Sequence, residues 1–118
     1  MKIVFLDIDG VLRREIARPG VDDATAYKFG DFAPECMACL NDICARTGAR
    51  VVVSSSWKRS CSLAGLVDVL DRAGFLGTVH SVTPTLPGEA EHPGDMRGYE
   101  IAVWLGRQSV YKPVQSFV

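Results

Sequence analysis

Two carboxylates, Asp7 and Asp9, close the first apolar run of the chain, "KIVFL", and Gly10 follows them. Like charges this close repel each other, and the pair is stable when a metal ion or a shared proton offsets the repulsion. In an extended backbone the two side chains point the same way and converge on one cation. A turn at Gly10 would instead offer the carbonyl oxygen of Asp9. Oxygen ligands suit a hard cation, so Mg²⁺ is the expected metal.

Other interpretations of the acid pair can be checked against spacing. A calcium-binding EF-hand loop counted from Asp7 needs glycine at its sixth position and glutamate at its twelfth, where this chain has Leu12 and Arg18. The sequence also lacks the GxxxxGK pattern of a nucleotide-binding loop. One alternative stays open: the two acids only shape a turn, because Asp-Gly is turn-prone.

The elements that must position these acids alternate between strand-like and helix-like segments, which predicts an α/β fold with a parallel sheet. The interval 11–32 is irregular and suggests a hairpin or flap around Tyr27 and Phe29, and the interval 83–96 suggests a loop. Ser60 or Ser62 is the expected cap of the second helix. Strands are predicted at 2–8, 49–54 and 78–82, with the start of another at 114–118, and helices at 34–47, 62–74 and 97–106.

Ligands of open parallel sheets gather beyond the carboxyl ends of the strands. The acid pair follows the first predicted strand, and the serines of "VVVSSSW" follow the second. We therefore expect Asp7, Asp9 and Ser54 or Ser55 to meet at one edge of the sheet. Trp57, directly after them, is a core anchor or a cover over this edge, and its bulk favours the core.

Composition excludes several classes of protein. The 118 residues, of 12.8 kDa, suit one domain spanning 1–118, and 13 basic against 14 acidic residues give no support to a nucleic-acid partner. No signal peptide or membrane span is recognisable, so a cytoplasmic protein is expected. Cys36 and Cys39 form a CxxC that could bind zinc with two further cysteines. Their helical spacing favours reduced thiols instead.

Two motifs carry a resemblance to a known family. "DIDGVL" resembles motif I of the haloacid dehalogenase (HAD) superfamily of aspartate-nucleophile phosphotransferases, and "VVVSSSW" resembles its motif II. The segments "GFLGTVHSVTP" and "RGYEIAVWL" narrow the likeness to small HAD domains associated with Swiss Army Knife RNA-repair proteins. The resemblance covers nearly the whole chain, and it implies a three-layer Rossmann-like sandwich with a minimal cap.

The resemblance also implies roles. Asp7 would be the nucleophile that forms an aspartyl-phosphate, and Asp9 the general acid and base, with both acids binding Mg²⁺. Ser54, or else Ser55, would donate to a phosphoryl oxygen, and Arg97 would stabilise phosphoryl charge unless it only caps a helix. Substrate-binding candidates are Gly10, Ser55 and Lys58, the last also a substitute for Arg97. The expected substrate is a phosphate ester, either a small molecule or a nucleotide or RNA end.

One departure from the family pattern concerns the end of the chain. The superfamily's motif IV is an acidic pair after another strand, and this sequence stops at "VQSFV", where that strand begins. We expect the domain to be C-terminally incomplete unless Asp95 or Glu89 substitutes from the loop. Two hypotheses follow, a phosphatase and a catalytically impaired binding module. An incomplete sheet would also expose an edge through which two copies could pair as a homodimer.

Overall fold

A parallel sheet forms the centre of the protein. In the computed structural model, the described residues are 1–13, 32–86, 93–108 and 113–118, with backbone only for 93–95. Within them, β1 (Lys2–Leu6), β2 (Arg50–Val53), β3 (Val79–Val82) and β4 (Ser116–Phe117) lie in the order β3-β2-β1-β4, all parallel. The predicted parallel sheet is confirmed, and its carboxyl ends share one edge.

Three helices and one 3₁₀ turn connect the strands in this part of the chain: α1 (Pro34–Thr47), the 3₁₀ turn (Ser56–Arg59), α2 (Leu63–Arg72) and α3 (Pro93–Gly106). Gly48 ends α1 in the left-handed conformation, with φ 70°, where glycine avoids the steric cost of a Cβ. The Ser62 side chain accepts a hydrogen bond from the Gly65 amide and caps α2. The cap of this helix is therefore Ser62 and not Ser60.

The helices cover both faces of the sheet. On one face, side chains of α1 and α2 such as Leu40, Leu66 and Leu70 pack with Leu6 and Val53 in the larger core cluster. On the other face, Trp104 of α3 packs against Ile3 and Val52, with Phe5 alongside. Successive strand residues alternate between these two clusters because neighbouring side chains point to opposite faces. The arrangement confirms the expected three layers.

Two predicted boundaries are wrong. β1 ends at Leu6 and not at residue 8, because the Ile8 carbonyl accepts from the amides of Val11, Leu12 and Arg13 in a tight turn. α3 begins at Pro93 and not at residue 97. Proline is tolerated in the first helical turn, where its missing N–H would have no helical partner.

The apolar faces of two helices match their sequence pattern only in part. The helical spacing predicts one face of Cys36, Leu40, Ile43 and Cys44 in α1 and one of Leu63, Leu66, Val67 and Leu70 in α2. In α1, Met37, Leu40 and Cys44 are buried, whereas Ile43 is exposed. In α2, Leu66 and Leu70 are buried, whereas Leu63 and Val67 are exposed.

Several predictions concern parts of the chain outside the described residues. These are the hairpin around Tyr27 and Phe29, and Glu89 as a substitute acid; the side chain of Asp95 is likewise outside the description. None of the helices in the described part combines the length and apolar composition needed to cross a bilayer.

Candidate functional site

The carboxyl edge of the sheet brings three polar side chains into neighbouring positions. Asp7 follows β1, Ser54 follows β2 and Thr83 follows β3, directly after residues that pair in register. Backbone hydrogen bonds between neighbouring strands extend to these residues. The Ser54 amide donates to the Leu6 carbonyl at 2.9 Å, and the Thr83 amide donates to the Val53 carbonyl at 3.0 Å. The strand ends therefore present an acid and two hydroxyls in a row.

Asp7 forms an ion pair with Arg97 of α3. The Arg97 Nη1 donates to Asp7 Oδ2 at 2.7 Å, and the Ile8 amide donates to Asp7 Oδ1 at 2.9 Å. The side chains are 27% exposed for Asp7 and 45% for Arg97, so solvent reaches the pair. Since α3 begins four residues earlier, Arg97 does not cap the start of this helix. Its guanidinium is at the acid predicted to be the nucleophile.

Asp9 is held by two donors from different elements. Arg13 Nη1 donates to Asp9 Oδ1, and Trp57 Nε1 donates to Asp9 Oδ2, both at 3.1 Å. The Arg13 guanidinium also lies over the Trp57 ring, 5.7 Å from its centroid, and Phe32 meets that ring edge-on. Trp57 is buried in the larger core cluster. It is therefore both the predicted core anchor and a direct partner of Asp9.

The backbone turns at Gly10, between the two acids and Arg13. Of the two backbone geometries considered for the acid pair, extended or turned at Gly10, the structure has the turn. Gly10 has φ 77°, a left-handed conformation that other residues adopt at a steric cost. Its amide donates to the Arg13 carbonyl at 2.9 Å. Ile8 is fully buried between the partly exposed Asp7 and Asp9, so the two carboxylates lie on the side away from the core.

The oxygen atoms of Asp7 and Asp9 are of the kind that Mg²⁺ prefers as ligands. Within the described ranges, no group of three or more His, Cys, Asp or Glu side chains converges as a metal site. Mg²⁺ is often held by only one or two carboxylates, with waters and substrate phosphate as further ligands. Each oxygen of Asp7 and Asp9 accepts a hydrogen bond and still has a lone pair to offer.

A cavity of about 220 Å³ opens beside this edge. Ser54, Ser56 and Arg59 line it from the β2 side, and Arg97 and Glu100 from α3. Ser54 Oγ has one long contact, 3.5 Å to the Leu6 carbonyl. Ser55, in contrast, is fully buried and accepts from the Trp57 amide at 3.3 Å. Of the two candidate serines, Ser54 is the one at the cavity.

Lys58 lines the same cavity, yet its ammonium group is buried. It donates to Thr83 Oγ1 at 2.8 Å, to the Pro84 carbonyl at 3.1 Å and to Glu100 Oε2, with which it forms an ion pair. These contacts use all three protons of the ammonium. The geometry argues against the predicted substrate contact and against Lys58 as a substitute for Arg97.

Glu100 is the site residue that sequence reasoning missed. It is buried, although acids are seldom buried unless they are paired. The available signal was its spacing, four residues before the buried Trp104 and three after Arg97 on one helix. Those intervals place the three side chains along one stripe of α3.

The four cysteines are free thiols in different environments. Cys39 is exposed, Cys36 and Cys61 are partly buried, and Cys44 is buried. Desolvation raises the pKa of the Cys44 thiol above its ordinary value. A buried, protonated thiol is a poor nucleophile.

Comparison with known proteins tests the predicted family. Neither the search of curated proteins nor the search of solved structures found a match. A family model described as the HAD domain in Swiss Army Knife RNA repair proteins matches residues 3–118. The match spans both motifs and, apart from Lys2 at the start of β1, the four strands of the described sheet. On this match and the three-layer fold, the chain belongs to the HAD domains of Swiss Army Knife RNA repair proteins.

Proposed function

We propose that this chain is a HAD-type phosphohydrolase that acts on a phosphate ester through an aspartyl-phosphate on Asp7. The observation that carries the proposal is the ion pair between Arg97 and Asp7 at the carboxyl end of β1, beside Ser54. The guanidinium orients one oxygen of Asp7 and is placed where phosphoryl charge develops.

The proposed reaction has two displacements. An Asp7 oxygen forms a bond to phosphorus, and the bond from phosphorus to the ester oxygen breaks as Asp9 gives that oxygen a proton. Asp9 then takes a proton from water, which attacks the phosphorus and releases Asp7 and inorganic phosphate. Ser54 donates to a phosphoryl oxygen, and Arg97 balances its charge.

Asp7 would hold Mg²⁺ through its carboxylate and Asp9 through the backbone carbonyl that the turn at Gly10 offers, so that the Asp9 carboxyl group stays available for proton transfer. The ion, when bound, would neutralise phosphate charge and orient the substrate. The Arg13 and Trp57 donors fix the orientation of the Asp9 carboxyl group, and this fixed orientation supports the proposed role of Asp9 in proton transfer. A nucleotide or RNA end phosphate is the proposed substrate class, on the basis of the family. A cytoplasmic location is part of the proposal, since free cysteines persist in reducing compartments.

A second candidate function is a binding module with little or no turnover. Each acid is paired with an arginine of the protein itself, Asp7 with Arg97 and Asp9 with Arg13. The charge of the site is therefore balanced internally, and a phosphate-bearing ligand could be retained without chemistry.

Hydrolysis of a generic aryl phosphate, with and without Mg²⁺, separates these functions. The enzyme hypothesis predicts Mg²⁺-dependent release of phosphate that Asp7→Asn abolishes. The control Asp42→Asn, which removes an exposed acid paired with Arg46 on α1, should keep full activity. A folded wild-type protein without turnover would favour the binding module. RNA oligonucleotides with a terminal phosphate then test the substrate class against aryl phosphate.

A further inference from the structure

A buried ion pair connects the helix that carries Arg97 to the carboxyl edge of the sheet. The side chains of Lys58 and Glu100 are 3% and 4% exposed, far less than those of Arg97 and Asp7. Both partners have further bonds: Lys58 donates to Thr83 and Pro84, and Glu100 Oε1 accepts from the Leu86 amide at 3.3 Å. The pair thus links α3 both to the 3₁₀ turn after β2 and to the segment after β3.

α3 has a second anchor one turn further along. The Trp104 ring meets Phe5 edge-on at 5.5 Å, and its Nε1 donates to Ser81 Oγ at 2.8 Å. Arg97 lies one turn beyond Glu100 in the opposite direction, and reaches Asp7 from there. Glu100 is therefore the anchor next to the functional end of the helix.

Energetics favour a geometric role for this pair over a purely stabilising one. Burying two charges costs solvation free energy that their attraction often only offsets, and apolar side chains of similar size are frequently as stable. Apolar side chains, however, lack the directional bonds by which Lys58 joins Glu100 of α3 to Thr83 and Pro84, so they would not fix the position of the helix. A misplacement of about 1 Å in a catalytic group can cost about 100-fold in rate.

We propose that Glu100, acting through Lys58, is a positioning residue that holds Arg97 against Asp7. The inference rests on the proposed function, because it assigns Glu100 to the transition-state contact of Arg97. Lys58 and Glu100 act together and touch no reacting atom. Their contribution should therefore vanish when Arg97 is absent.

A double-mutant cycle tests this dependence. Glu100→Gln keeps the shape of the side chain and an acceptor for Leu86, and removes the charge that faces Lys58. In the wild-type background we expect kcat to fall about 10-fold or more, with KM changed less than about 2-fold. In an Arg97→Ala background the same change should lower kcat less than about 2-fold. Equal losses in both backgrounds would overturn the proposal and leave the pair a purely structural role.

Two further variants guard against misfolding and general charge effects. Lys58→Met combined with Glu100→Met leaves no unpaired charge, so the fold should persist while kcat falls as in Glu100→Gln. Asp68→Asn removes an exposed partner of Arg72 on α2 and should leave kcat unchanged. A folded double variant with wild-type kcat would contradict the proposal.

A spectroscopic measurement separates this proposal from the proposed function. The side-chain Nε–Hε resonance of Arg97, assigned by its loss in Arg97→Lys, reports the environment of the guanidinium without any turnover. We expect it to shift in Asp7→Asn, in Glu100→Gln and in the Met double variant, but not in Asp68→Asn. If the wild-type protein hydrolyses no substrate but these resonance shifts are seen, the proposed phosphohydrolase function is contradicted and the positioning role is not. An Arg97 resonance unchanged in both Glu100→Gln and the double variant would overturn the positioning role.

Discussion

The Arg97 guanidinium contacts the Asp7 carboxylate at 2.7 Å, although 90 positions separate the two residues in the sequence. The contact joins the first strand to the last described helix and places the two side chains with the most direct proposed roles together. It sets the orientation of one Asp7 oxygen, while the Ile8 amide sets that of the other.

Removing the guanidinium should weaken catalysis far more than folding. We expect Arg97→Ala to lower kcat about 100-fold or more, because a charge-stabilising donor is lost. The unfolding free energy should change by less than about 1 kcal/mol, because the pair is partly exposed. Arg97→Lys keeps the charge and should lose less activity. Steady-state kinetics with urea unfolding measures both effects, and a kcat near wild type in Arg97→Ala would refute the assigned role.

Trp57 should matter through its indole N–H as well as its bulk. Trp57→Phe keeps an aromatic ring in the core but removes the bond to Asp9. The loss of a hydrogen bond to a charged group should cost about 2 kcal/mol of unfolding free energy. kcat should also fall, because Asp9 loses one of its two orienting donors.

The matched control for Trp57 is Phe75→Leu, a change in the same core cluster at a side chain that has no hydrogen-bond donor to offer either acid. It should lower the unfolding free energy and leave kcat unchanged. If kcat falls in proportion to stability in both variants, the hydrogen bond from Trp57 has no specific role.

Much of the fold was predictable because its signals are local. β1 and β2 are short apolar runs because both faces of the central sheet are covered, and Gly48 marks the end of α1. The position of Asp7 and Asp9 at a strand end was predictable as well, because the apolar run stops at these two acids. These features depend on residues close together in the sequence.

The rest depends on packing between distant segments. Ile43 in α1 and Leu63 and Val67 in α2 are exposed although their helical spacing predicts burial, because a sheet face covers only some of the apolar side chains on each helix. The start of α3 was predicted four residues too late, because Pro93 and Gly94 usually indicate a loop. Lys58 and Glu100 lie 42 positions apart in the sequence, so no local pattern could pair them.

The cysteines should react with a thiol reagent according to their exposure. Cys39 is exposed and should be alkylated first, whereas Cys44 is buried with a raised pKa and should be alkylated last. Peptide mapping after timed alkylation measures the order, and denaturant should make the rates similar. Joint protection of Cys36 and Cys39 that a chelator removes would instead support the zinc alternative.

The proposed homodimer through a sheet edge has its own test. β4 is the outer strand next to β1 in the described sheet, and Phe117 and Val118 are exposed there. Exposed apolar edges favour pairing with another chain. Sedimentation velocity should show a concentration-dependent dimer that Phe117→Lys weakens, with Leu76→Lys as a control at another exposed apolar position. A wild-type monomer at every concentration would rule this dimer out.

The most direct test of the central claim is to trap the covalent intermediate. Wild-type protein mixed with aryl phosphate and Mg²⁺, quenched in acid and digested, should yield the peptide that contains Asp7 with the added mass of one phosphoryl group. Hydroxylamine should remove that group, as it does from acyl phosphates, and Asp7→Asn should not acquire it. Substrate turnover with no phosphoryl group on Asp7, or with the group on another residue, would contradict Asp7 as the nucleophile.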